Sequence, residues 1–127
     1  MLAFEVQYLS GRAYACDVQD RKKPEWPPHP ARFFSALVAA LHETGLGEAE
    51  RQALVWLEEQ DPPYISAADG SDRAGVTSYV PVNDASYNPK DGNSFIPDRR
   101  KRQARFFPSF APNSNVVYFI WPLANPT

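Results

Sequence analysis

Leu2, Phe4, Val6 and Tyr8 alternate with Ala3, Glu5 and Gln7 at the start of the chain. Successive side chains of a strand point to opposite faces, so this alternation predicts a half-buried strand beginning almost at the first residue. Ser10-Gly11 interrupts it, and Ala13 to Cys16 either continues it or pairs back onto it. Residues 17–25 are polar and charged, a connecting loop. The period then changes. Phe33, Phe34, Leu37, Val38, Ala40 and Leu41 recur at three- and four-residue spacing, the wide apolar stripe of an amphipathic helix. Pro30 suits the first turn of that helix, where a missing N–H costs nothing, and Gly45 is its natural stop. A second helix fits Glu48 to Gln60, with Ala49, Ala53, Trp56 and Leu57 on one face, and Asp61-Pro62-Pro63 ends it.

Tyr64 to Ala67 reads as a short strand and residues 68–75 as a turn. Val76 to Val82 is β-branched and aromatic, a better strand, with Pro81 marking an edge or an end. Residues 83–112 show no apolar periodicity and contain Pro89, Pro97, Pro108 and Pro112, which predicts the least regular part of the fold. Val116 to Trp121 is an unbroken apolar run, as in a central strand covered on both faces. The order of elements predicts an α+β fold: a ferredoxin-like antiparallel sheet of four strands with two helices on one face. Residues 1–127 then form a single domain in which 83–112 is a long basic loop. The second crossover helix usual in that class is missing. Either the helical pair covers the sheet alone or the chain is the N-terminal part of a longer two-domain protein, and an ending directly after a buried strand favours the latter.

Composition narrows the classes. An apolar fraction of 43% with 13% aromatic residues excludes wholesale disorder. No stretch has the apolar length of a bilayer span, and no basic segment followed by an apolar one opens the chain as a signal peptide would. The single cysteine, Cys16, cannot form an intrachain disulfide and fits a reducing cytosol, where it reads as a small buried residue on a strand.

Charge is segregated. Residues 43–72 hold eight acids and one base, Arg51, whereas residues 83–127 hold six bases against three acids. Five of those bases, Arg99, Arg100, Lys101, Arg102 and Arg105, fall within seven residues on a chain of formal net charge -2. Phe106, Phe107 and Phe110 follow at once. Clustered cations suit phosphates and flat rings suit bases, so Arg99, Arg100, Lys101, Arg102, Arg105, Phe106 and Phe107 form a candidate RNA-binding set. A solvated surface run or a localisation tag has the same composition. No Cys/His cluster has metal-ligand spacing, and no glycine-rich phosphate cradle or nucleophile elbow occurs, so neither metal nor cofactor is expected. His29, at a helix start, suits a cap, and His42, near a helix end, suits an interaction with the dipole.

Three stretches carry a family resemblance: Glu25-Trp26-Pro27-Pro28-His29-Pro30-Ala31-Arg32 leading into Ala36–Ala40; Thr77-Ser78-Tyr79-Val80-Pro81-Val82-Asn83-Asp84; and Ile96-Pro97-Asp98 through Arg105-Phe106-Phe107-Pro108. Over essentially its whole length the chain resembles the N-terminal part of the CRISPR-associated fusion subunit of subtype I-U, also called I-G. In that family a Cas-five-like domain that binds the crRNA handle precedes a Cas-six-like endoribonuclease domain. The resemblance implies a ferredoxin-like or RRM-like RAMP fold, CRISPR RNA as partner, and a cytoplasmic place in a type I Cascade-like surveillance complex of prokaryotic antiviral defence. The family's nuclease half lies further along than this chain reaches, so no residue here is assigned to cleavage, and the RRM aromatic signature is not evident.

Three functions compete on this reading. The first is an RNA-binding module that holds guide RNA by its backbone through the basic loop. The second is a metal-independent endoribonuclease acting on repeat RNA, with His29 or Tyr79 near the Arg99–Arg105 run as its acid or base. The third is an assembly module in which Phe106, Phe107 and Phe110 anchor neighbouring protein subunits.

Overall fold

The computed structural model describes residues 1–81 and 102–126. In chain order these form β1 (Leu2–Gln7), α1 (Pro30–Glu43), α2 (Glu48–Glu58), β2 (Tyr64–Ala67), β3 (Gly70–Pro81), β4 (Arg102–Pro112) and β5 (Val116–Trp121). The first strand, both helices and the last strand form where the alternation and the helical stripe put them. β5 is the centre of a three-stranded sheet in the order β1–β5–β2. Both of its pairings are antiparallel, so β1 and β2 run parallel to each other, with α1 and α2 in the crossover between them. A parallel pair separated by an inserted antiparallel strand is the split βαβ unit of ferredoxin-like folds. The protein is α+β, consistent with the ferredoxin-like, RAMP-type class.

Register explains where the core sits. Leu2, Phe4 and Val6 lie opposite Trp121, Phe119 and Val117, and Ile65 and Ala67 flank the same two central residues from β2. Directly opposite residues share a face, so this side of the sheet is wholly apolar. Phe33, Phe34 and Leu37 of α1 and Trp56 and Leu57 of α2 pack on it. The Phe33 ring stacks on Phe119 at 4.6 Å and leans on Phe4 at 5.2 Å. Phe119 and Val117 are the largest fully buried side chains among the described residues, and each contributes roughly 1.5–3 kcal/mol by leaving water. The other face is open, with Ala3, Glu5, Gln7, Tyr64, Ser66 and Tyr118 exposed. β5 is therefore central but covered on one face, not on both as its unbroken apolar run suggests. On α2 the buried stripe runs through Leu57, with Trp56 partly buried, while Ala49 and Ala53 face outward.

α1 starts as its sequence implies. His29 is the cap: its Nδ1 accepts from the Ala31 N–H at 3.2 Å, and Pro30 takes the first turn. The Glu25 carboxylate accepts from the His29 backbone N–H at 2.6 Å and from Arg32 Nε and Nη2 at 3.0 and 2.6 Å, tying the proline-rich approach to the first turn. Gly45, at φ 99°, ends the helix in a conformation that glycine adopts without strain.

β3 and β4 form a second, two-stranded antiparallel ladder. This differs from the expected single four-stranded sheet: the third predicted strand pairs with a strand that the sequence did not announce. Gly70 is already opposite Pro112, so residues 70–75 are strand rather than turn, and Arg102–Pro112 is a regular strand rather than irregular loop. The remainder of the expected loop lies outside the described residues. Two features admit the breakers. The Phe110 N–H and C=O both bond to Ala13, away from β3, each at 2.9 Å. Alternate residues of an antiparallel strand point their polar groups to the same side, so Pro108 lies on that outward side and its missing donor costs β3 nothing. A side chain at Gly70 would run into the Ala111 carbonyl, the Pro112 backbone and the Phe110 ring, so only glycine permits this close approach.

Trp26 joins the hairpin to the sheet. Its ring stacks on Phe110 at 5.0 Å with 18° between planes and meets Tyr8 edge-on at 5.6 Å, and its Nε1 donates to the Ala68 carbonyl at 2.9 Å. The peptide bond to Pro27 is cis. Phe110, 9% exposed, is a core residue.

Candidate nucleic-acid interface

Three of the expected cations, Arg99, Arg100 and Lys101, lie outside the described residues. The other members of the set, Arg102, Arg105, Phe106 and Phe107, are all exposed on β4. Phe106 is 43% and Phe107 48% exposed, in contrast to Phe110 on the same strand. The strand period separates them. Thr77 and Tyr79 of β3 lie opposite Phe106 and Ala104, and Pro81 lies opposite Arg102. Arg73 lies opposite Ser109, Val76 opposite Phe107, and Ser78 opposite Arg105. One face of the ladder therefore carries Tyr79, Phe106 and Arg102, and the other carries Arg73, Phe107 and Arg105. Each face joins rings to guanidinium groups, the combination that contacts a base and its phosphate together.

The register shift between Arg73 and Val76 is a bulge, and it matters to one ring. The Phe106 ring lies across the backbone of Gly75, inside the space that a Cβ there would take. Sequence reading missed this glycine because Gly70, Asp72 and Gly75 together look like turn chemistry. It also passed over Arg73, whose place beside Phe107 follows only from the pairing, and it considered Tyr79 as an acid or base. Tyr79 is 66% exposed on β3, whereas His29 caps α1 with its Nδ1 engaged.

Two other polar groupings are structural. Burial raises the Glu25 pKa, but hydrogen bonds from Arg32 and the His29 N–H more than offset it, and the net value lies below that of an ordinary glutamate. The same pairing raises the Arg32 pKa, and burial followed by the Glu25 charge raises that of Tyr8. Glu25 thus engages the Arg32 guanidinium in an ion pair. On the open sheet face, Tyr118 is hydrogen-bonded to Glu5 of the edge strand β1, which raises its hydroxyl pKa and leaves a carboxylate on that face. Such a face disfavours a polyanion. Among the described residues no group of three His, Cys, Asp or Glu side chains has the disposition to hold a metal ion, and no helix is long and apolar enough to cross a membrane.

Comparison with known proteins agrees with the resemblance carried by the tryptophan–proline start and the basic run. No curated protein and no solved structure matches the chain. A family model described as CRISPR-associated protein, GSU0054 family, matches residues 3–127, nearly the entire chain. The chain belongs to this family of CRISPR-associated proteins.

Proposed function

We propose that this protein is an RNA-binding subunit of a type I, Cascade-like CRISPR surveillance complex, and that it holds CRISPR RNA through the β3–β4 hairpin and the basic run leading into β4. The observation that carries the reading is the back-to-back placement of Tyr79, Phe106 and Arg102 on one face and Arg73, Phe107 and Arg105 on the other. In sequence, Arg99, Arg100 and Lys101 immediately precede Arg102 and bring the run to five cations within seven residues. Phosphate contact supplies affinity with little sequence preference, and stacking on the rings places the bases. The acidic residues of α2 and the carboxylate on the open sheet face make those surfaces less suited to a polyanion than the hairpin, where guanidinium groups stand beside exposed rings. Family membership supports CRISPR RNA as the ligand and other Cas subunits as neighbours.

The test is the salt dependence of binding to a CRISPR repeat RNA. Each phosphate contact to a single strand contributes about -0.7 to the log–log slope, so three to five engaged cations give about -2 to -3.5. Replacing Arg99, Arg100, Lys101, Arg102 and Arg105 by alanine flattens that slope and weakens all RNA sequences alike. Unchanged affinity and slope in that variant would make the hairpin a protein contact or a solvated surface instead.

A further inference from the structure

We infer that Tyr79 and Phe106 form a stacking platform for unpaired bases on one face of the hairpin, and that Gly75 is the residue that positions it. The inference rests on the RNA-binding reading and deepens it. Tyr79 lies opposite Ala104, two residues from Phe106 on the same face, so the two rings are diagonal neighbours across the ladder. Ala104, the smallest side chain that keeps the strand regular, leaves the space beside Tyr79 open. Tyr79 and Phe106 both stay exposed although each is a large aromatic ring, and Phe110, four positions along β4 on the same face as Phe106, shows the alternative: it stacks on Trp26 and is buried. The Phe106 ring instead lies along Gly75, where the bulge and the missing Cβ let it rest against backbone. A methyl group at that position would occupy the ring's place and push it off the hairpin face. The ring is thereby fixed from beneath while its outer side remains accessible. Bases within a duplex are already stacked on one another, so a platform of this kind selects single-stranded segments. Arg102, two positions from Ala104 on the same face, stands where the phosphate of a stacked nucleotide would lie.

The experiment uses a single-stranded oligoribonucleotide of about ten residues carrying one 2-aminopurine, within the usual site size for such surfaces. Affinity and fluorescence quenching are read together for the whole chain. Tyr79→Ala and Phe106→Ala each lower affinity about 5- to 150-fold with the salt slope unchanged, and each reduces quenching. Tyr79→Phe retains both properties. Gly75→Ala behaves as Phe106→Ala does, and the double variant is no weaker than either single one, because both changes act through one ring. Tyr64→Ala, on the open sheet face, leaves affinity and quenching unaltered. Circular dichroism of each variant verifies that the fold is kept, and Tyr79→Leu, which retains a strand-compatible apolar side chain, repeats the loss of stacking where alanine unfolds the hairpin. Wild-type binding with a normal salt slope, together with undiminished affinity and quenching in Tyr79→Ala and Phe106→Ala, overturns the platform and leaves the phosphate-binding reading standing. Additive losses for Gly75→Ala and Phe106→Ala overturn the positioning role of Gly75. No binding by the wild-type chain overturns the platform and the RNA-binding reading together.

Discussion

Replacing Phe110 by alanine removes the ring through which the hairpin rests on Trp26, whereas replacing Phe107 removes a ring that stands half in water. The two phenylalanines lie on the same strand, three residues apart, and would look equivalent in a basic-aromatic run. Phe110 is 9% exposed, and its ring is parallel to the indole at 5.0 Å. Truncating a buried phenylalanine costs about 3–5 kcal/mol, including the cavity left behind, and the lost ring pair accounts for about 0.5–1.5 kcal/mol of that. Against a total stability of about 5–15 kcal/mol for an ordinary domain, Phe110→Ala takes away a large share. Thermal unfolding should shift down by roughly 10–20 °C for a domain of this size. Phe107→Ala forfeits about half the transfer energy of a ring, about 1 kcal/mol, and shifts unfolding by only a few degrees. Urea unfolding of both variants, followed by the fluorescence of Trp26, Trp56 and Trp121 together, reads the difference. Equal destabilisation by the two changes, or no effect of Phe110→Ala, would refute the division of the phenylalanines into one core ring and two exposed ones.

Gly70→Ala should destabilise by about 1–3 kcal/mol, because its methyl group meets the Ala111–Pro112 backbone and the Phe110 ring at once, and chemical denaturation measures the loss. The lowered Glu25 pKa makes its contribution to stability fully present above the ordinary glutamate value, and this contribution is lost as pH falls through the lower folded value. Glu25→Gln should therefore lower stability at neutral pH and show a smaller decline than wild type below about pH 4.5, in parallel denaturation series across pH 3–7.

The sheet and helices were legible in the sequence because each has one buried side. Leu2 to Val6 alternate and α1 repeats every three or four residues because one face of each meets the core. β5 was recognised as a central strand but not as open on one side, since Val116, Tyr118 and Ile120 are apolar whether or not anything covers them. The hairpin was hidden for the opposite reason. Above Pro108 both faces of β4 meet water, so no contrast between buried and exposed positions imprints a period of two on Arg102–Phe107. Its glycines and prolines looked like punctuation. In the structure Gly70 admits a neighbouring backbone, Gly75 seats a ring, and Pro108 turns its missing donor away from β3. The cations and rings of the candidate interface were legible as residue types. Their sorting onto two faces, and the addition of Arg73 and Tyr79, depend on a pairing between residues about thirty positions apart, which no local pattern records.

The central claim is that RNA lies on the hairpin, and ultraviolet cross-linking of the chain to CRISPR repeat RNA, with mass-spectrometric assignment of the modified residues, tests it most directly. Stacked rings cross-link most readily, so the account predicts adducts on Tyr79, Phe106 and Phe107. Cross-links confined to Tyr64 and Tyr118 would place the RNA on the open face of the three-stranded sheet and contradict it.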